Sequence, residues 1–178
     1  MTLRRSECFC ATFLGNRYYP LEGRIDQLDI EDIAHGLAYQ CRFNGQTSDF
    51  YSVAQHSILV AQLLPDHLQL AGLLHDAGEA FLGDLVSPIK ALLPDFSRLE
   101  HAVSAQIATH FAVNFDAPAI KAADLRLLAT EKRDLMPNSV EAWSSLHGIE
   151  PLSERIIPWG PATAKNEFLR TYQRLVPL

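Results

Sequence analysis

Apolar positions between residues 29 and 136 recur with the period of helices rather than strands. Ile30, Ile33, Ala34, Leu37, Ala38 and Cys41 share the spacing of one buried helix face, and Asp29 stands before them as an N-cap. A polar loop over 43–49 leads to Ser52 and a second helix running to about Leu64. Pro65-Asp66 break that helix and cap a third, predicted to continue through Leu73, Leu74, His75 and Asp76 to about Leu82, where Gly83 stops it. Ser87-Pro88 has the form of an N-cap followed by proline and opens a short helix to Leu93. Pro94-Asp95 start the next, with Phe96, Leu99, Val103, Gln106, Ile107 and His110 along its stripe. From Pro118 to Leu135 the stripe is Ile120, Ala123, Leu127, Leu128 and Leu135. Asp124 and Glu131 lie on that same apolar face, which is costly for a carboxylate unless it is paired or bound to metal.

Less regular segments flank this core. Residues 1–28, with Arg17, Tyr18, Tyr19, Pro20 and Gly23, read as an irregular N-terminal arm with room for short strands. Residues 137–178 are turn-rich as far as Pro161 and close on an amphipathic helix carrying Ala164, Phe168, Tyr172 and Leu175. The expected architecture is all-α, one domain built as an antiparallel helical bundle over 29–136 with decoration at both ends.

Composition narrows the function classes. With 178 residues, 48% of them hydrophobic, the chain can bury a substantial single core. A formal net charge of −6 gives no general attraction for a polyanion, so no nucleic-acid polymer is expected as a partner. No stretch approaches the roughly 20 apolar residues of a membrane span, and the N-terminus lacks a signal-peptide core, so a cytoplasmic protein is expected. Cys8, Cys10 and Cys41 make an odd count without a disulfide pattern. They read as free thiols, since two thiolates at 8 and 10 are too few to close a zinc site.

Candidate chemistry arises where the second and third helices meet. His56 lies nine residues before the turn at Pro65 and His75 ten after it. At roughly 1.5 Å per residue, both imidazoles sit about 14–15 Å from the turn and face each other at one height. Asp76 adds an adjacent carboxylate, and Asp124 adds another from a buried face. Each residue alone has a plain structural explanation, a hydrogen-bonded core histidine above all. Together they form a set of imidazoles and carboxylates suited to one divalent ion.

The order His56, His75-Asp76, Asp124 resembles the signature of HD-domain metal-dependent phosphohydrolases. The text around it, in 41–45, 50–56, 73–80, Gly83-Asp84, 88–90 and 123–131, looks like the bacterial branch related to 5′-deoxynucleotidases, with the likeness extending over about residues 12–176. The resemblance implies a bundle of the HD type and a single divalent metal (Mn, Co, Ni, Fe, Zn or Mg) on His56, His75, Asp76 and Asp124. It also implies Glu79 as the acidic catalytic residue, Arg42 as a catalytic phosphate contact, Asp84 as a sugar-hydroxyl contact and a homodimer. Spacing agrees for Glu79, which falls one turn beyond His75 and Asp76 on the expected helix. Arg42 precedes the loop feeding the second helix, and a surface arginine at a helix end is its alternative. Lys90 is a further candidate substrate contact, with a solvated lysine as the rival reading. The chain departs from its relatives at Gln46, where a histidine is expected, and at Gly78, which costs helix stability but leaves space near the site.

His101 and His110 are the obvious extra ligands for a two-metal site, but nine residues on a helix point them to opposite faces, and His110 reads as a partly buried core residue. His35, His67 and His147 have no evident partners. The function expected is hydrolysis of (deoxy)nucleoside 5′-monophosphates, small-molecule substrates, to nucleoside and phosphate. The alternatives are another phosphomonoester, a nucleoside triphosphate, or a metal-bearing nucleotide sensor without turnover.

Overall fold

A computed structural model of the chain describes residues 8–137, 141 and 143–176. The fold is mostly helical, with one small antiparallel sheet at the N-terminal end. The arm supplies that sheet: β1 (Cys10–Ala11), β2 (Arg17–Tyr19) and β3 (Arg24–Ile25) pair in sequence order. Tyr18, Tyr19 and Ile25 turn inward. Asp32, on the first helix, accepts from Thr12 Oγ1 (2.7 Å), the Leu14 amide (2.7 Å) and Asn16 Nδ2 (2.9 Å), which ties the arm to the bundle.

α1 (Ile30–Tyr39) starts as its sequence predicts, with Asp29 in extended backbone accepting from the Glu31 amide at 2.8 Å. It buries Ile33, Ala34, Leu37 and Ala38, while Cys41 lies beyond the helix in an isolated bridge to Ser52. The following turn, Arg42–Gly45, is tight and left-handed: Phe43 and Asn44 have φ of 54° and 52°, and Gly45 has 74°. The Arg42 amide donates to the Tyr51 carbonyl, so this turn stands directly over the start of α2.

α2 (Val53–Gln62) is the buried axis of the bundle. Ser52 caps it through the Gln55 amide, and the helix packs against α1, α3 (Asp66–Leu74), α7 (Pro118–Leu135) and α8 (Pro161–Leu175). It contributes Ile58 and Ala61 to one apolar cluster, with Leu37, Leu73, Leu74, Ile107 and Phe168, and Val60 to a second, with Leu64, Ile120 and Leu127. A helix shared by two clusters exposes almost no surface, which is why even its polar residues Gln55, His56 and Ser57 are buried. Its approach to α3 is close because Gly72 faces Ala61; a Cβ at 72 would come within 3.3 Å of the Ala61 Cα.

The third helix departs from expectation. It does not continue to Leu82: α3 ends at Leu74, and α4 (Glu79–Leu82) is a separate short turn. Across the junction the amides bond three residues back, Ala77 to Leu74, Glu79 to Asp76 and Ala80 to Ala77. Such a tightened turn carries about three residues per turn rather than 3.6, so His75, Asp76 and Glu79 are not related by one regular helix face. Gly78, the poorest helix former in the segment, sits within this junction. A Cβ there would make only ordinary contacts with Val103 and Ser104, so local space does not demand the glycine.

α5 (Ser87–Lys90) begins one residue earlier than predicted, with Val86 rather than Ser87 at the cap. α6 (Pro94–His110) buries Val103 and Ile107, but His110 is exposed rather than part of the core, since the helix shows that edge to solvent. His35 has partners after all, stacked between Phe13 (3.9 Å) and Tyr39 (4.4 Å). In the turn-rich segment before α8, Gln55 bonds the Ile157 carbonyl and the Trp159 amide, and Asp134 bonds the Ile156 amide. No helix among the described residues is long and apolar enough to cross a membrane.

Candidate metal centre

The centre assembles where α2, the α3–α4 junction and α7 meet. His56 is fully buried on α2, and its ring centroid lies 5.4 Å from that of His75, so the equal heights read from the sequence are realised. His56 Nε2 stands 3.5 Å from Asp124 Oδ1 and 3.4 Å from Asp76 Oδ2, and His75 Nε2 stands 3.2 Å from Asp76 Oδ2. His56, His75 and Asp124 each offer a ligand atom within 4.8 Å of the others, and Asp76 adjoins this triad.

The outer nitrogens of both rings are engaged. His56 Nδ1 is 2.7 Å from Glu131 Oε1, and His75 Nδ1 is 2.7 Å from the Gly72 carbonyl. A carbonyl and an ionised carboxylate only accept, so both Nδ1 atoms carry the hydrogen and the Nε2 atoms face inward. Both Nε2 atoms are buried without a hydrogen-bond partner. Two buried imidazole nitrogens left unpaired beside carboxylates are expensive as they stand and fit a borderline divalent cation well. The residues present therefore fit a metal.

The charges around these atoms are strongly biased. Burial works to raise the Asp124 carboxyl, but His56, His75 and Lys121 outweigh it and hold it below its ordinary range. Burial is likewise overcome at Asp76, by His75, His56 and Arg42. Burial and Arg42 pull His56 down, yet Glu131 and Asp124 bring it up to about 9. Glu79 behaves oppositely: burial first, then Asp76 and Asp84, push its carboxyl well above the usual value, against Arg42 and Lys90.

Arg42 is not free. It is buried, with Nη2 3.2 Å from Glu131 Oε2 and Nη1 3.7 Å from Asp76 Oδ2, while its Nε lacks a partner. This excludes the surface-arginine alternative. Glu79 has one oxygen without a partner and lines a cleft of about 200 Å³ with His75, Asp76, Lys90, His101 and Ser104. Lys90 Nζ is 2.5 Å from Glu100 Oε1, so it enters the cleft wall as half of an ion pair. Asp84 follows the Gly83 turn, half-buried, where burial raises its carboxyl and Arg42 opposes. The cysteines are free, and none of them belongs to the ligand group of His56, His75 and Asp124.

From the sequence, Glu131 has no assigned role and His101 no place at the cleft. For Glu131 the signal was present, since it follows Asp124 by seven residues, two turns along the same buried face. No spacing rule brings α6 over α4, so His101 had none.

No family model matches the chain. It is 39% identical over 173 residues to the protein YfdR of Escherichia coli strain K12, spanning 96% of this chain and 97% of that protein. It is also 41% identical over 125 residues to a protein of Rhodobacter capsulatus, spanning 62% of this chain and 64% of the other. Both relatives are named only as uncharacterized proteins.

Proposed function

We propose that this chain, which belongs to the family of the Escherichia coli protein YfdR, is a divalent-metal-dependent phosphohydrolase with an HD-type bundle, acting on (deoxy)nucleoside 5′-monophosphates. The observation that carries the reading is the pair of buried, unpartnered Nε2 atoms of His56 and His75, turned toward Asp76 and Asp124. His56, His75 and Asp124, with Asp76 beside them, would hold the ion. When bound, it supplies a Lewis acid that neutralises phosphoryl charge and acidifies water.

The chain's own residues supply the remaining parts. Glu79 lines the cleft, has one buried oxygen without a partner, and carries a carboxyl raised well above its usual value, which suits it to take up and release a proton. It takes a proton from the attacking water as the new O–P bond forms, and returns one to the leaving 5′-oxygen as the old P–O bond breaks. Arg42, clamped by Glu131 and Asp76, adds a fixed positive charge beside the phosphate and needs no reorganisation to do so. Lys90 with Glu100, together with His101 and Ser104, walls the cleft for the rest of a small substrate, and Asp84 is the candidate contact to a sugar hydroxyl. The cleft's size and the net charge of −6 favour a small phosphate ester over a polymer.

Phosphate release tests the reading, measured across nucleoside mono- and triphosphates with Mn, Co, Ni, Fe, Zn and Mg. Release from monophosphates is expected. Nucleotide binding without release under every metal would replace the enzyme by a sensor, and preference for triphosphates or a non-nucleotide ester would move the substrate class.

A further inference from the structure

α7 presents two carboxylates on one buried face, and the metal reading uses only Asp124. Glu131, two turns on, is fully buried and does not line the cleft. Each of its oxygens has its own partner: Oε1 lies 2.7 Å from His56 Nδ1, and Oε2 lies 3.2 Å from Arg42 Nη2. The buried Tyr51 ring lies close enough for the Glu131 charge to act on its hydroxyl.

We infer that Glu131 is a positioning residue whose single carboxylate fixes His56 in the tautomer that leaves Nε2 free for the metal and, through its other oxygen, fixes Arg42. The inference rests on the metal reading of the site.

Arginine only donates, and an ionised carboxylate only accepts, at both oxygens. With Oε2 taken by Arg42, Oε1 can satisfy His56 only if Nδ1 carries the ring hydrogen. In the neutral ring that a cation requires, Nε2 then keeps its lone pair, 3.5 Å from Asp124 Oδ1. His75 reaches the same state through a backbone carbonyl, which no side-chain substitution alters. His56 depends on a side chain that is shared. An amide at 131 has one acceptor and one donor, and Arg42 can face only the acceptor. The amide NH2 would then meet His56 Nδ1 and move the ring hydrogen to Nε2, where it blocks ligation. Metal affinity should therefore respond to Glu131→Gln in proportion to what Arg42 demands. A ligand histidine held by a carboxylate in this way loses about 10–100-fold in metal affinity when that partner is changed.

The test is a four-variant cycle of Zn2+ affinity by chelator competition: wild type, Glu131→Gln, Arg42→Met, and both together. The expected result is a loss of about 10–100-fold for Glu131→Gln in the wild-type background. A much smaller loss is expected beside Arg42→Met, where the amide oxygen is free to accept from His56. Nitrogen-15 spectra of the zinc-loaded wild type should place the His56 ring hydrogen on Nδ1, and they decide the matter should Glu131→Gln fail to fold. Equal affinity of Glu131→Gln and wild type, an equal loss in both backgrounds, or a hydrogen on Nε2 overturns the inference alone. A wild type that binds no divalent metal overturns the reading beneath it as well.

Discussion

His56 Nε2 and Asp124 Oδ1 stand 3.5 Å apart, one from α2 and one from α7, and the imidazole nitrogen, also 3.4 Å from Asp76 Oδ2, is buried without a hydrogen bond. Lys121 reaches the outer oxygen of Asp124 at 2.8 Å, which leaves the inner one facing the two histidines. Asp124→Ala removes the only member of the triad that is not an imidazole. The protein should fold, lose its metal and lose turnover. Elemental analysis finding full metal occupancy in the folded variant would remove Asp124 from the ligand set.

Arg42→Ala should cost stability as well as substrate binding, because it strands Glu131 as a buried charge beside Tyr51 and His56. Breaking a buried pair from one side is typically worth about 3–5 kcal/mol. Denaturant unfolding of wild type and variant reads this directly. Arg42→Lys should recover only part of it, since an ammonium lacks the fork that spans Glu131 and Asp76. An unchanged midpoint for Arg42→Ala would contradict the buried clamp.

Glu79→Gln keeps the volume of a buried side chain and removes only its proton chemistry. Metal content and nucleotide binding should survive, while turnover should fall by about 10²–10⁴. The pH profile adds a sign. The Glu79 carboxyl is raised, so its base form becomes populated only as pH climbs through a value above the ordinary carboxylate range. Wild-type turnover should therefore rise with pH along that limb, and the residual rate of Glu79→Gln should not. A wild-type limb at the usual carboxylate position would take Glu79 out of the role.

Gly36→Ala tests the support behind Glu79 without touching the chemistry. A Cβ at 36 would lie 2.8 Å from the Ala80 Cβ and 2.9 Å from its carbonyl oxygen, so α1 and α4 would have to separate. Overpacking of this kind costs about 1–3 kcal/mol. Because Ala80 follows Glu79, turnover should drop while metal stays bound, a combination read by thermal melting, metal analysis and phosphate release on one preparation. Wild-type melting and turnover would deny the close contact.

Much of the site is legible in the sequence. A hairpin about Pro65 fixes heights along two helices, and 1.5 Å per residue suffices to put His56 opposite His75. A carboxylate on an apolar stripe marks itself by its cost, which singled out Asp124 and, equally, Glu131. The helix caps at Asp29 and Ser52 are local chemistry and appear where the sequence puts them. By contrast, the break after Leu74 was not legible, because 66–82 carries one continuous apolar pattern. The i→i+3 bonding of 74–80 depends on the neighbours that α4 packs against, among them Gly36.

The sequence by itself determined which segments are helices, where most begin, and that the carboxylates of Asp124 and Glu131 lie on an apolar face, since these follow from period, capping and the cost of desolvation. Only the tertiary structure decided what those buried groups meet. It gave Arg42 to Glu131 and Asp76, and it used Glu131 to turn His56 so that Nε2 faces Asp124. It also left His110 in solvent while bringing His101 to the cleft. These are contacts between residues far apart in the chain, set by how helices cross, and no local pattern encodes the angle at which they do so.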